Sequence, residues 1–243
     1  MSSTTHHLTD ETLQDYAAGS LDVPMETLVA CHLTMCARCR ARSGLADSVG
    51  GALLDEEAAV AAVTASADDV LSRAERDRRR GDMERTDLGE RTDRGREASR
   101  RPLPGRPLRP RRSSMASVPR PLARLLPTGL DELDWRRVAP GIRQFNLGTR
   151  HRRHGAFKLL HLSPGTTLSE HGHNDRELTY VVRGSYTDEL GRFGPGDIAD
   201  LDERVEHRPV VDPGEPCIAL IATHSPVRFS GMLGRIMQPF VGI

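Results

Sequence analysis

The chain has 243 residues, with 34 Lys+Arg against 34 Asp+Glu, a formal net charge of zero and 37% hydrophobic residues. A neutral balance argues against direct DNA binding, which rests on phosphate neutralisation and a basic excess. No apolar run approaches the roughly 20 residues of a membrane span, and MSSTTHHLTD at the start lacks an apolar h-region. The expectation is a cytoplasmic chain without membrane attachment, in which four cysteines serve as metal ligands or free thiols rather than a disulfide framework.

The first part, residues 1–77, reads as helices. Thr9 caps a helix through Leu13, Tyr16 and Ala17 that Gly19 stops. Pro24 suits the first turn of a second helix carrying Leu28, Val29 and His32. A third helix follows Cys36 and runs through Ala41 and Leu45. Ser66 with Asp69 resembles a capping box opening a fourth, whose Val70, Leu71 and Ala74 form a short apolar stripe. From Arg73 to Arg112 there are 15 Arg and 8 acidic residues and no aromatic residue. Such a stretch cannot bury enough apolar area to offset its ordering entropy, so residues 78–124 read as an Arg-rich flexible linker. From residue 125 to 243 the pattern is β: Ile142 to Leu147, Ala156 to Leu162, Leu178 to Arg183, Ile218 to Ala222 and Val227 to Phe229, punctuated by Gly and Pro.

Two groups of residues carry metal chemistry. His32, Cys36 and Cys39 form H-x3-C-x2-C, and thiolates with imidazole at that spacing suit tetrahedral Zn²⁺. A structural site needs a fourth ligand, for which His6 and His7 are the candidates. Closing it would staple the first helix to the second and third, a large gain for a unit with a thin core. Cys31 lies outside the pattern and reads as a small core residue. In the β half, Gly165 to Gly184 spells G-x5-H-x-H-x3-E-x6-G. His171 and His173, two apart, point to one face of a strand, and Glu177 approaches from across a short turn. His207 follows the turn-rich FGPGDI segment as a fourth ligand. Three imidazoles and a carboxylate suit zinc or another divalent transition metal. Cys217, alone in the β half, cannot form a disulfide within it.

HHLTD followed by CHLTMCARCRA resembles the zinc-binding anti-sigma domain, a family of small helical proteins that hold ECF sigma factors inactive. That resemblance selects His7 over His6 and implies that His7, His32, Cys36 and Cys39 bind structural zinc. The G-x5-H-x-H-x3-E-x6-G motif with GRFGPGDIADLDERVEH resembles the cupins, double-sheet β-barrels that hold a metal inside. The order of the two halves resembles ChrR-type anti-sigma factors, as do ELTYVVRGSYTDELGRFGPGDI and the ending RFSGMLGRIMQPFVGI. The resemblance implies an α+β multidomain chain, with a zinc-stapled helical bundle and a C-terminal cupin jelly-roll barrel. It implies a non-enzymatic regulator of transcription that binds an ECF sigma factor one to one. The cupin would mediate release under oxidative stress, by singlet oxygen or organic peroxide. The competing reading is a metal-dependent, dioxygenase-like cupin enzyme with an accessory zinc domain. The stripe of Val70, Leu71 and Ala74, with parts of the first helix, is the expected sigma-binding surface.

Overall fold

The computed structural model describes residues 4–56, 68, 71–73, 75–76, 118–148, 155–169, 171–172, 175–224 and 228–229. Met1–Leu54 and Arg111–Ile243 make one compact unit and Asp55–Pro110 another. In the second unit, Leu71 is helical and exposed, while Ser66, Asp69, Val70, Ala74 and most of the Arg-rich stretch lie outside the described residues.

Three helices open the first unit. Helix α1 (Asp10–Ala17) starts where the Thr9 hydroxyl accepts from the Thr12 amide, and ends before Gly19 at φ 65°. Helix α2 (Val23–Met35) has Pro24 in its first turn, but its cap is Asp22, whose carboxylate accepts from the Met25 amide. Met25, Leu28, Val29 and His32, at i, i+3, i+4 and i+7, form its buried face. Helix α3 (Ala37–Glu56) is longer than its sequence pattern announces. After Ser43 it is exposed on nearly every side.

Residues 118–124, read from composition as the end of a flexible linker, are instead built into the fold. Val118 and Leu122 are buried and helix α4 (Arg120–Ala123) packs on α2. Here the composition turns from Arg and acidic residues to Leu and Pro, which restores apolar area to bury.

The β half contains β1 (Arg136–Ala139), β2 (Ile142–Asn146), β3 (Phe157–Leu162), β4 (His171–Gly172), β5 (Glu177–Arg183), β6 (Tyr186–Asp188), β7 (Gly191–Phe193), β8 (Ile198–Leu201), β9 (Glu206–His207), β10 (Val210–Val211), β11 (Cys217–Thr223) and β12 (Arg228–Phe229). A six-stranded sheet runs β1-β2-β3-β11-β5-β8, and two smaller sheets run β10-β6-β7 and β12-β4-β9. The strand pairs are antiparallel, as expected of a cupin-like jelly roll.

The large sheet is covered on both faces. Inside the barrel, Leu160, Leu162, Val181, Cys217, Ala199 and Leu201 pack together. On the other face Leu159, Leu178, Tyr180, Leu220 and Ala222 join Leu8, Leu13, Met25, Leu28 and Val29 in one core. Strand β11 is consequently buried at all seven positions, which explains its uninterrupted apolar sequence CIALIAT. Helix α2 lies directly on β5 and β11.

Polar contacts border this packing. Arg176, just before β5, reaches Glu11 at 2.9 Å and Asp15 at 2.6 Å on α1. His224, just after β11, stands 3.4 Å from Asp22 at the start of α2.

Candidate metal centre

Four side chains converge where α1, α2 and α3 begin or end. His7 precedes α1, His32 is in the last turn of α2, Cys36 is its C-cap residue, and Cys39 is in the first turn of α3. One ligand atom from each lies within 4.8 Å of all the others. His7 Nδ1 is 3.3 Å from Cys36 Sγ and 3.7 Å from Cys39 Sγ. The Cys39 amide donates to Cys36 Sγ at 3.4 Å, a contact that favours the thiolate form at a helix start.

His32 fits a metal in a further respect. Its Nδ1–H donates to the Gly196 carbonyl at 2.8 Å, which fixes the tautomer and leaves Nε2 with the lone pair. Nε2 is buried and has no hydrogen-bond partner among the described residues. A buried acceptor without a partner is costly, and coordination would satisfy it.

Protonation also suits ligation. Burial holds His32 below its ordinary range, and burial with the Arg38 charge does the same for His7, so both rings stay neutral. Burial opposes ionisation of Cys36, yet hydrogen bonds from the Thr4 side chain and the Cys39 amide bring its thiol below the ordinary value. Cys39 is raised, first by burial and then by its neighbour Cys36. Two nitrogens and two sulfurs are the number and kind of donors that fill a tetrahedral structural zinc site, whereas a catalytic one keeps a position for water or substrate. His6 faces elsewhere: its ring stacks on Phe193 at 3.8 Å and its Nε2 lies 3.1 Å from the Arg192 carbonyl.

The second set of expected ligands is partly described. His171 on β4 and His207 on β9 are cross-strand partners. Glu177 opens β5, is buried, and accepts from the Thr179 hydroxyl at 3.2 Å. His207 is also buried, with Nδ1 2.9 Å from an Asp188 carboxylate that is itself fully enclosed. His173 lies outside the described residues, as do His151 and His154. Cys31 and Cys217 are core thiols that burial pushes up to about 12, so neither is a nucleophile near neutral pH.

Sequence reasoning missed two features. Asp188, Gly196, Asp197 and Asp200 support ligand-bearing segments from distant positions, which no local pattern announces. The α3 stripe was legible: Leu45, Val49 and Leu53 recur every four residues and are 68%, 55% and 60% exposed.

The ChrR cupin-like domain family matches residues 127–227. The anti-sigma-E factor ChrR of Cereibacter sphaeroides is 37% identical over 238 residues, 98% of each chain. The crystal structure of Rhodobacter sphaeroides SigE in complex with the anti-sigma ChrR aligns with a TM-score of 0.66 at 33% identity. That alignment covers 91% of this chain and 100% of the matched one.

Proposed function

Since the chain belongs to the ChrR family of anti-sigma factors, we propose that it binds an ECF sigma factor one to one and holds it inactive until an oxidative signal reaches the cupin. Its role is regulatory rather than enzymatic. Among the described residues no helix is long and apolar enough to cross a membrane.

The observation that carries this reading is the exposed end of α3. Among the described residues, Leu45, Val49, Leu53 and Leu54 are exposed apolar side chains on the part of α3 that follows Ser43. That same helix contains Gly44, Gly50 and Gly51, each costing about 1 kcal/mol relative to alanine. A solvated helix so composed is marginal alone and gains most from a partner that covers its apolar stripe. The structure of SigE with the related ChrR supplies the partner class. The stripe expected at Val70, Leu71 and Ala74 is a secondary candidate, of which only Leu71 is described.

In this reading His7, His32, Cys36 and Cys39 hold structural zinc that sets the angles between α1, α2 and α3. His171, His173, Glu177 and His207 hold zinc or another divalent transition metal in the cupin, where singlet oxygen or an organic peroxide acts. The division into a sigma-binding part (1–77), a linker that ends before Val118 and a cupin (125–243) is part of the proposal, with 118–124 packed against α2.

The test is titration of the full chain against the ECF sigma factor it captures. Wild type should form a one-to-one complex. Val49→Asp should weaken it by roughly 30-fold or more, the scale of an interface hot spot. Unchanged affinity in that variant would remove α3 as the docking element.

A further inference from the structure

The helical metal centre is completed by residues of the barrel. After β7, the turn Gly194–Asp197 lies against the segment that carries His7 and against the end of α2. The Gly196 carbonyl accepts from His32 Nδ1 at 2.8 Å. Asp197 Oδ1 accepts from the backbone amides of Thr5 at 2.6 Å and His6 at 3.1 Å. Its Oδ2 accepts from the Thr5 hydroxyl at 3.1 Å and from the Gly194 amide within the turn at 2.9 Å. Three residues further, Asp200 Oδ2 accepts from both the amide and the hydroxyl of Thr9, each at 2.9 Å. Two carboxylates of the barrel therefore hold the backbone on both sides of His7.

The approach is close enough to demand glycine. Gly196 has φ +95°, and a Cβ there would come within 3.1 Å of Thr4 and 3.4 Å of Met35. Gly191 (φ +122°) faces the His6 ring at an ordinary contact distance, 3.4 Å, and needs glycine for its backbone conformation. A side chain at either position would strain the backbone, and at Gly196 it would also crowd Thr4 of the His7 segment.

The contact continues inward. Phe193 stacks between His6 at 3.8 Å and Tyr186 at 4.8 Å, and Asp188, two residues beyond Tyr186 on β6, holds His207.

We propose that the Gly194–Asp197 turn is the outer coordination shell of the His7/His32/Cys36/Cys39 centre, with Asp197 as the positioning residue that sets its metal affinity. The inference rests on the reading that these four residues hold a metal. Partners one step beyond a ligand orient it, and losing one weakens metal binding on the order of 10- to 100-fold. Asp197 preorganises the His7 backbone and Gly196 orients the His32 ring, so a movement of the β6–β7 hairpin would loosen two ligands together. A change at the cupin metal would thereby reach the helices without any new bond.

The experiment measures metal affinity of the full chain by competition with a chromogenic chelator, using Zn(II), and follows Co(II) visible absorption as a signature of the thiolate site. Asp197→Asn keeps the shape but puts an amide where Oδ2 or Oδ1 accepts. It should bind metal 10- to 100-fold more weakly while regaining the wild-type Co(II) spectrum at saturation. Thr5→Val, on the helical side of the contact, should weaken binding in the same direction by a smaller factor. Asp131→Asn, which breaks only the exposed pair with Arg183, should leave it unchanged. Wild-type affinity in both Asp197→Asn and Thr5→Val would overturn the proposal. So would a failure of Asp197→Asn to regain the spectrum together with unchanged affinity in Thr5→Val, which would confine Asp197 to folding of its own turn. A wild-type chain with no thiolate Co(II) absorption would instead remove the metal reading beneath it.

Discussion

At the scale of single residues, His32 shows how identity and environment divide the work. The H-x3-C-x2-C spacing names it as a ligand, but which nitrogen binds is decided by a carbonyl 164 residues away. Its burial has a pH consequence. The folded state keeps His32 and His7 neutral, while the unfolded chain titrates them near the ordinary value of 6.5. Below that value the unfolded state binds more protons, so stability rises with pH and is lost as pH falls through about 6.5. Protons also compete with metal for these ligands, in the same direction. Denaturant titrations from pH 7.5 to 5.5 should show a falling midpoint. A midpoint that held or rose on acidification would contradict rings that the folded state keeps neutral.

At the scale of elements, α2 is the piece on which both halves depend. It supplies His32 and the C-cap Cys36 to one end, and Met25, Leu28 and Val29 to the face that lies on β5 and β11. Its sequence announces an amphipathic helix with a Pro start, and the helix is there. The partner of its apolar face is another matter: periodicity states that a face is buried, never against what. Leu28 is fully buried in the core shared by helices and sheet. Leu28→Ala should therefore cost about 2–5 kcal/mol. Thermal unfolding should show the loss in helix and sheet signals together, because one core serves both. A cost below about 1 kcal/mol, or loss confined to the helical signal, would show that the halves are energetically separate.

At the scale of the whole molecule, the proposed sensor and the proposed binding element meet at the turn after β7, which holds the His7 segment and His32. This arrangement predicts a separation of roles. His171→Ala should leave binding of the sigma factor within about twofold, yet blunt release when singlet oxygen is applied. Sigma-dependent transcription in vitro, with and without the oxidant, measures both. Normal release in that variant would take the cupin metal out of the mechanism; lost binding would show that it supports the helical part structurally.

The sequence by itself determined whatever depends on neighbours in the chain. The Thr9 cap, Pro24 in the first turn of α2, the Gly19 stop, the period of the strands and the spacing within each ligand motif all follow from local sterics and hydrogen bonding. The resemblance of the two motifs, in their order, to one family extended that reading to a cupin barrel and a regulatory role. The tertiary structure alone decided what comes together from afar. It showed what occupies His6 while its neighbour His7 reaches the thiols: the His6 ring is drawn onto Phe193. It turned Val118 and Leu122 from linker into core, and it placed Gly196, Asp197 and Asp200 around the helical centre. Those partners are separated by more than 160 residues, and a contact of that separation is selected by the packing of a whole sheet face against α2, a cooperative choice that no window of sequence contains.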